Sequence, residues 1–357
     1  MADNYEAELD KGDGTVADFD DHNRGVLGTI QHFLHGNPAM VPVIILALSI
    51  AAFGVVAGER FFSVFTLGLI MQQVAIVGIL ACAQTLIILT AGIDLSVGAV
   101  MVLSYVVMGN LGVTYGLPTF LAIVIGLAVG MACGAVNGLL VTKLKLPPFI
   151  VTLGTWRIFL ATVFLYTGSQ SIRSQDIDAA APGLKFFGGK VEFVDNVVGF
   201  NANITYGVVL MLGIFVLFWY MLTRTAWGRA VYAVGDDKEA AELAGIRSDR
   251  ILMSVYVTAG LICGVAAWAA IGRVGSVSPS SFQEANLESI AAVVIGGTSL
   301  FGGRGAILGS LFGALIVGVF SAGLRLAGAD PQWVLFASGC LIILAVSIDQ
   351  WIRRVSA

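Results

Sequence analysis

Ten runs of mainly apolar residues follow one another along this chain, separated by polar or glycine-rich segments. A helix needs about 20 apolar residues to cross the roughly 30 Å hydrocarbon layer of a membrane, and most of the runs reach that length. The runs lie at 39–58, 66–90, 94–112, 118–141, 149–167, 205–223, 252–271, 289–301, 306–327 and 333–351. Because lipid offers the backbone no hydrogen-bond partner, they are expected to be helical. The sequence therefore predicts an all-α, polytopic transmembrane bundle of about ten helices, in which 289–301 is too short for a full crossing.

The composition is that of a chain surrounded by lipid rather than water. Of the 357 residues, 57% are hydrophobic and 12% are charged, whereas soluble domains carry roughly 25% charged residues. The 44 glycines fit the same class, because small residues let membrane helices approach closely. A glycine at every fourth position, Gly126, Gly130, Gly134 and Gly138, predicts one such close-packed face. The four cysteines lie in apolar runs without C-x-x-C spacing, which favours buried side chains over a disulfide or metal site.

Charge divides the chain into two regions. Residues 1–36 are acidic and predicted to be a disordered cytosolic tail, whereas residues 37–357 form the transmembrane domain. With the N-terminus in the cytoplasm, 12 of the 19 lysines and arginines lie on the cytoplasmic side, six lie outside and Arg157 falls within a span. This bias predicts that both termini are cytoplasmic. An outer loop at 168–204 and a cytosolic loop at 224–250 are long enough to contact partners.

Two glycine-rich segments, 91–99 and 296–306, interrupt apolar runs at comparable places. In transporters, paired segments of this kind often mark an inverted repeat. We therefore expect helices two to five and seven to ten to be related by a two-fold axis in the plane of the membrane.

The cytosolic loop contains the pattern of a short capped helix between Gly235 and Ile246. Asp236 is placed to cap its first turn together with Glu239, and Gly245 suits the left-handed position after its last turn. An apolar face is formed by Ala240, Leu243 and Ala244, with Ala241 beside it. A helix of about eight residues is marginal alone in water, so it must dock either on its own protein or, as a coupling helix, in a groove of a cytosolic ATPase.

Four parts of the chain resemble the monosaccharide permeases of ribose, xylose and fructose import systems, in that family's order and over roughly residues 40–350. They are Val231–Ile246, Ala91–Gly98, Asn137–Val141 with Leu146–Thr155, and Ala291–Gly303. The resemblance implies the fold of vitamin-B12-type ABC importers and a homodimer in the bacterial inner membrane with a path at its interface. It also implies two cytosolic ATP-binding subunits and a periplasmic sugar-binding protein.

The chain lacks the G-x-x-x-x-G-K-[ST] phosphate loop, and no lysine follows the cluster Gly302, Gly303 and Gly305. ATP is therefore expected to be hydrolysed by a partner subunit. The chain itself is expected to be no enzyme, with no catalytic residue, bound cofactor or metal.

A neutral sugar needs amides, hydroxyls and aromatic faces along its path rather than a charge trap. The pathway or gate candidates are Gly92, Asp94, Ser96, Gln72, Gln73, Asn137, Thr155 and Trp156. Polar residues within spans also join helices to one another, so both roles stay open. Asp94 stands out, because an ionisable group in the membrane costs about 2.5–3.5 kcal/mol. It either caps a helix starting at Leu95 or lines the path, and a pair with Arg157 is conceivable.

On the outer face, Arg173 and Arg273 are candidates for docking acidic lobes of the binding protein, or else are ordinary solvated charges. Three rivals to a monosaccharide permease remain. An ABC permease for a nucleoside or amino acid shares parts of the pattern. An ion-coupled carrier normally has several paired ionisable groups in its spans, and here only Asp94 qualifies. A membrane scaffold leaves the capped cytosolic helix unexplained.

Overall fold

The computed structural model describes residues 40–195 and 200–355, so the predicted acidic tail lies outside the described residues. The helices are α1 (Met40–Ala57), α2 (Glu59–Phe62), α3 (Val64–Leu89), α4 (Val97–Gly109, continued by a π-helical turn at Asn110–Thr114), α5 (Thr119–Thr142), α6 (Pro148–Thr167), α7 (Ser174–Ala180), α8 (Tyr206–Arg224), α9 (Ala226–Asp236), α10 (Lys238–Leu243), α11 (Ser248–Val274), α12 (Ala285–Ile295), α13 (Ile307–Leu326) and α14 (Pro331–Val355). A 3-10 helix at Pro182–Gly188 precedes an antiparallel hairpin of β1 (Lys190–Asp195) and β2 (Phe200–Thr205).

Eight helices in the described part of the chain are long and apolar enough to cross a membrane, which confirms the predicted polytopic bundle. They are α1, α3, α4 with its π turn, α5, α6, α8, α11 and α13. The predicted run at 289–301 is only the 11-residue α12, as its shortness indicated. The run at 333–351 lies in α14, which is helical but is not among the eight.

Helices α4 and α12 both begin where the chain has turned back into the bundle. The prediction that a helix starts at Leu95, within a run from 94, is wrong, because residues 90–96 form a turn and α4 begins at Val97. Residues 275–284 form the corresponding connection before α12. The first turn of α12 meets the residues just before α4, since the Nδ2 of Asn286 donates a hydrogen bond to the carbonyl oxygen of Leu95 over 3.2 Å.

A two-fold repeat requires that equivalent helices of the two halves make equivalent contacts, and the described helices meet this requirement. Helix α11 packs along α4 and α5, and α3 packs along α12 and α13. Likewise α4 contacts α5 and α6, while α12 contacts α13 and α14. The packing thus agrees with the predicted repeat of α3–α6 and α11–α14. In a repeat of α3–α6 and α11–α14, the connection that corresponds to 90–96 is 275–284, so the predicted pairing of 91–99 with 296–306 does not fit this repeat.

The glycine stripe of α5 lies against α11. A side chain on Gly130 would overlap the carbonyl oxygen of Gly260, and one on Gly134 would overlap that of Tyr256. The two backbones therefore touch directly, which confirms the predicted close-packed face.

The two ends of the bundle differ in what they carry. One end, called here the hairpin end, bears α7, the 3-10 helix and the β-hairpin. An isolated antiparallel bridge between Ile172 and Val277 ties the connection 275–284 to this end. Helix α8 crosses from the hairpin end to the other end, called here the α10 end, where α9 and α10 follow it.

Candidate functional site

Helix α10 is the short helix that the sequence predicted, but its cap is one residue later than expected. The Oδ1 of Asp237 accepts hydrogen bonds from the backbone N–H groups of Glu239 at 2.9 Å and Ala240 at 3.0 Å. Asp236 is not the cap, because α9 continues through it. Gly245 has φ +84°, which confirms the predicted left-handed turn after the helix.

One face of α10 is attached to the bundle and the other is uncovered. Ala241 is 4% exposed and packs with Val234 of α9 and Leu252 of α11. Leu243 is 91% exposed, and Ala240 and Ala244 are also exposed. The predicted apolar face is thus left without cover in the chain, while Ala241 rather than that face holds the helix in place.

A polar groove lies beside this uncovered face. It encloses a cavity of about 490 Å³ and is lined by Lys143, Glu242, Gly245, Ile246, Arg247, Ser248, Asp249 and Arg250. Across it, the Nζ of Lys238 lies 3.4 Å from the Oδ1 of Asp249, and both side chains are well exposed. Such an exposed pair adds little stability, so the groove remains open to a partner's side chains.

Three distant segments cross backbone to backbone where α9 ends. The backbone N–H of Gly303 donates a hydrogen bond to the carbonyl oxygen of Leu89 over 3.0 Å. A side chain on Gly235 would overlap that same carbonyl oxygen, and one on Gly302 would overlap Gly235 and Ala91. We call this crossing of residues 89–91, 235–236 and 302–303 the backbone junction. Because the three backbones approach so closely there, only glycine fits at Gly235 and Gly302.

Tyr232 adds a second tie between α9 and the glycine-rich connection before α13. Its hydroxyl donates a hydrogen bond to the carbonyl oxygen of Gly305 over 2.9 Å. Burial raises the pKa of the Tyr232 phenol, so the group keeps its proton and remains a donor. Helix α9 is therefore fixed to the connection 296–306 at two places.

Asp94 lies buried in the turn that follows the backbone junction, with 4% of its surface exposed. Its Oδ1 accepts hydrogen bonds from the backbone N–H and the hydroxyl of Ser96, each over 2.6 Å. The Nδ2 of Asn137 donates to the Oγ of Ser96 over 2.8 Å and reaches the Oδ2 of Asp94 at 3.5 Å. This network turns the chain into α4 and links it to α5.

The conceivable pair between Asp94 and Arg157 does not form. Arg157 is exposed, and its guanidinium stacks over the ring of Trp156 with 4.6 Å to the ring centroid. Among the described residues, no cation pairs with the Asp94 carboxylate. Buried polar atoms near it instead lack partners, including the Oδ1 of Asn137 and the hydroxyl of Tyr256, which faces Gly92.

The structure brings together only part of the predicted pathway set. Gly92, Asp94, Ser96 and Asn137 form one cluster, and the Oγ1 of Thr152 joins it by donating to the carbonyl oxygen of Ile93 over 3.0 Å. Thr155 is buried one turn along α6, while Trp156 is half-buried beside it. Gln72 and Gln73 lie far along α3, about 24 Å from Leu89 at 1.5 Å per residue.

The two docking candidates occupy different places at the hairpin end. Arg173 is exposed before α7, where its backbone N–H donates to the Oδ2 of Asp176 over 3.3 Å. Arg273 lines a cavity that also contains Gln73. Sequence reasoning missed Glu288, Arg325 and Phe282 in the same cavity. An acidic residue so close to the short apolar run at 289–301 was the signal that could have found it.

Comparison with known proteins identifies the chain's relatives. The family described as branched-chain amino acid transport system, permease component, matches residues 66–346. The fructose import permease protein of Rhizobium meliloti is 60% identical over 353 residues, covering 99% of this chain and 96% of that protein. The ribose import permease protein of Bacillus subtilis is 38% identical, covering 79% and 83%. The xylose transport system permease protein of Escherichia coli is 31% identical, covering 80% and 85%.

No solved structure matches the chain. The resemblance seen in four motifs is confirmed by these relatives, and the eight candidate spans agree with a multi-pass membrane protein. The chain therefore belongs to the branched-chain amino acid transport system permease family, and within it resembles sugar import permeases.

Proposed function

We propose that this chain is the membrane-spanning permease subunit of a bacterial ABC importer that moves a monosaccharide across the inner membrane. The relative at 60% identity over nearly the whole chain is a fructose permease, so D-fructose is the first cargo to test, followed by D-ribose and D-xylose. The observation that carries the proposal is the uncovered α10, whose neighbour α9 touches Leu89, the last residue before the turn containing Asp94.

The partners follow from what the chain offers. A separate ATPase supplies the work, and its groove receives the uncovered face around Leu243. Two copies of the chain form the membrane part, and a periplasmic binding protein delivers the sugar at the hairpin end. In this arrangement the α10 end and both termini are cytoplasmic.

The contacts provide a route for movement from the ATPase to the path. A shift of α10 moves α9, because Ala241 packs on Val234. Gly235, one residue before the end of α9, is in contact with Leu89 and Gly303. The shift thus reaches the turn that holds Asp94 and the connection before α13. Packed backbones without flexible side chains between them transmit such a shift with little loss.

Transport assays test the proposal directly. The chain is reconstituted in liposomes with the ATPase and binding-protein subunits proposed above, and uptake of labelled D-fructose, D-ribose, D-xylose and L-leucine is measured with and without ATP. We expect ATP-dependent uptake of a monosaccharide. Preference for L-leucine would support the amino acid reading, which the family description favours. Uptake driven by an ion gradient without ATP would support a secondary carrier and contradict the proposal.

The orientation is tested by labelling. Of the four cysteines, three are buried and Cys340 is exposed, so Cys340→Ser gives a background with no exposed native thiol in the described residues. Glu239→Cys on α10 should react with a membrane-impermeant maleimide only from the cytoplasmic side. Gln175→Cys on α7 should react only from the periplasmic side. The reverse pattern would overturn the assignment of the two ends.

A further inference from the structure

A cavity of about 330 Å³ opens at the hairpin end between α3, α11, α12 and α13. Its volume lies at the lower end of the roughly 300–1,000 Å³ range of small-molecule sites. The charged and amide side chains that line it are Gln73, Arg273, Gln283, Glu284, Glu288 and Arg325. Two arginines, two carboxylates and two amides thus face one small space.

None of these six side chains has a hydrogen bond or ion pair to another described residue. The ion pairs of the described part, Lys185 with Asp178 and Lys238 with Asp249, lie elsewhere. Ionisable groups at the level of membrane helices are tolerated where they pair or face water. Since these opposite charges lie near one another without a close ion pair, their donors and acceptors are open to a ligand in the cavity.

The wall of the cavity also carries a fixed aromatic ring. Phe282 has φ +58°, a conformation that a bulky side chain rarely adopts. Its ring meets the ring of Tyr105 edge-on, with 5.9 Å between centroids, and the Tyr105 hydroxyl is itself hydrogen-bonded to the carbonyl oxygen of Ser276. A strained residue held by its surroundings is typical of a functional position.

We propose that this cavity is a subsite that holds a monosaccharide in transit. The inference rests on the proposed function and adds to it one sugar site within each copy of the chain, at the hairpin end and distinct from the path at the interface of the two copies. Arginine and glutamine donate hydrogen bonds, carboxylates accept them, and each sugar hydroxyl does both. The ring of Phe282 supplies an apolar surface beside these polar groups. Because the two arginines and two carboxylates carry no net charge together, the cavity is not a charge trap, and its donors, acceptors and one ring match a small neutral polyol.

The subsite is placed to communicate with the Asp94 turn. Glu284 and Glu288 flank the first turn of α12, where Asn286 donates to the carbonyl oxygen of Leu95. A ligand held by these carboxylates therefore touches an element that is bonded directly to the residue after Asp94. A sugar bound at the hairpin end can thus change the position of the Asp94 turn. The backbone junction acts on the same turn when α10 moves at the other end.

Protection from labelling tests occupancy. In the complete transporter carrying Cys340→Ser, we compare Ser280→Cys in the cavity with Gln175→Cys on α7, using a membrane-impermeant maleimide with and without millimolar D-fructose. We expect both thiols to react, and D-fructose to slow only Ser280→Cys. Equal rates with and without D-fructose, or no reaction at Ser280→Cys, would overturn the subsite. Protection by L-leucine alone would overturn its assignment to a sugar.

Uptake by charge-removing variants separates a sugar subsite from a docking surface. Glu288→Gln and Arg325→Gln should lower D-fructose uptake about tenfold, the effect of losing one hydrogen bond to a charged group. Gln283→Ala, at an exposed position, should give a smaller loss, and Gln175→Ala on α7, outside the cavity, should give none. Capture of the binding protein should be unchanged in all four. Loss of capture by the cavity variants would instead make the surface a docking site.

The outcomes also distinguish this inference from the proposed function. If the unmodified transporter moves no monosaccharide, the proposed function fails. If it moves D-fructose and the cavity variants do so equally well, only the subsite is wrong.

Discussion

The backbone N–H of Gly303 donates a hydrogen bond to the carbonyl oxygen of Leu89 over 3.0 Å, joining segments more than 200 residues apart. The bond closes the end of α3 against the connection that precedes α13, and Gly235 of α9 lies against the same carbonyl. One peptide unit is thus shared by an element of each half of the repeat and by the helix that leads to α10. The substitutions below test whether this contact carries the work of the ATPase.

Gly235→Ala is expected to uncouple ATP hydrolysis from uptake. The added methyl would overlap the carbonyl oxygen of Leu89, so α9 must move away from the backbone junction. We expect uptake to fall about tenfold or more while ATPase activity persists, because displaced backbone packing costs about 1–3 kcal/mol. Uptake and ATPase rates measured in the same proteoliposomes give the ratio. Gly154→Ala, where the methyl meets nothing, is the matched control. A normal ratio in Gly235→Ala would contradict the role of the junction.

Leu243→Glu should prevent stable binding of the ATPase without unfolding the permease. Leu243 is 91% exposed, so its replacement removes no contact within the chain, but it places a charge in the proposed interface. Loss of a central apolar anchor typically weakens an interface by about 2 kcal/mol or more, roughly 30-fold in Kd. Binding of the purified ATPase to the permease in nanodiscs measures the effect, and Leu243→Met keeps the apolar contact. Equal affinity of both variants would show that the ATPase docks elsewhere.

Much of the fold could be predicted because it depends on local hydrophobicity. Eight of the ten apolar runs are helices long and apolar enough to cross a membrane, and the shortness of 289–301 correctly indicated a half-length element. The left-handed turn at Gly245 and the glycine stripe of α5 were also predictable, since each follows from the residues of one segment.

Features that depend on distant segments could not be predicted. The chain turns at 90–96 because Asp94 bonds Ser96 and Asn137 holds both, which the apolar run alone does not reveal. The sequence predicts the cap of α10 one residue early, because it predicts a loop at 224–250 in which α9 is not distinguished. The cavity at the hairpin end joins four helices, so it exists only in the folded bundle.

Asp94→Asn and Asp94→Ala should separate a structural role from ion coupling. Asparagine keeps an oxygen that accepts the Ser96 bonds, whereas alanine leaves buried donors unsatisfied at about 1–3 kcal/mol each. We expect Asn to preserve thermal stability in detergent and ATP-driven uptake, and Ala to lower the Tm by several degrees. If Asn abolishes uptake while stability is unchanged, the carboxylate itself takes part in transport, as an ion-coupled carrier requires.

Gly134→Val should disrupt the bundle rather than its coupling. A Cβ at Gly134 overlaps the carbonyl oxygen of Tyr256. This oxygen belongs to the backbone of α11, so it cannot move aside by a change of side-chain rotamer. Forcing α5 away from α11 separates two helices whose backbones are in direct contact. We therefore expect the folded protein to be destabilised by about 1–3 kcal/mol or more. The matched variant Gly213→Val places the same side chain on α8, where nothing lies within 4 Å.

Thermal unfolding and membrane yield of the two valine variants measure this difference. Gly134→Val should unfold at a lower temperature and accumulate less in the membrane than Gly213→Val. Its remaining folded fraction should keep a normal ratio of uptake to ATP hydrolysis, because α5 is not part of the backbone junction. If Gly134→Val is instead stable but uncoupled, α5 lies on the route from the ATPase to the path. The backbone junction at Gly235 would then not be the only connection between α10 and the path among the described residues.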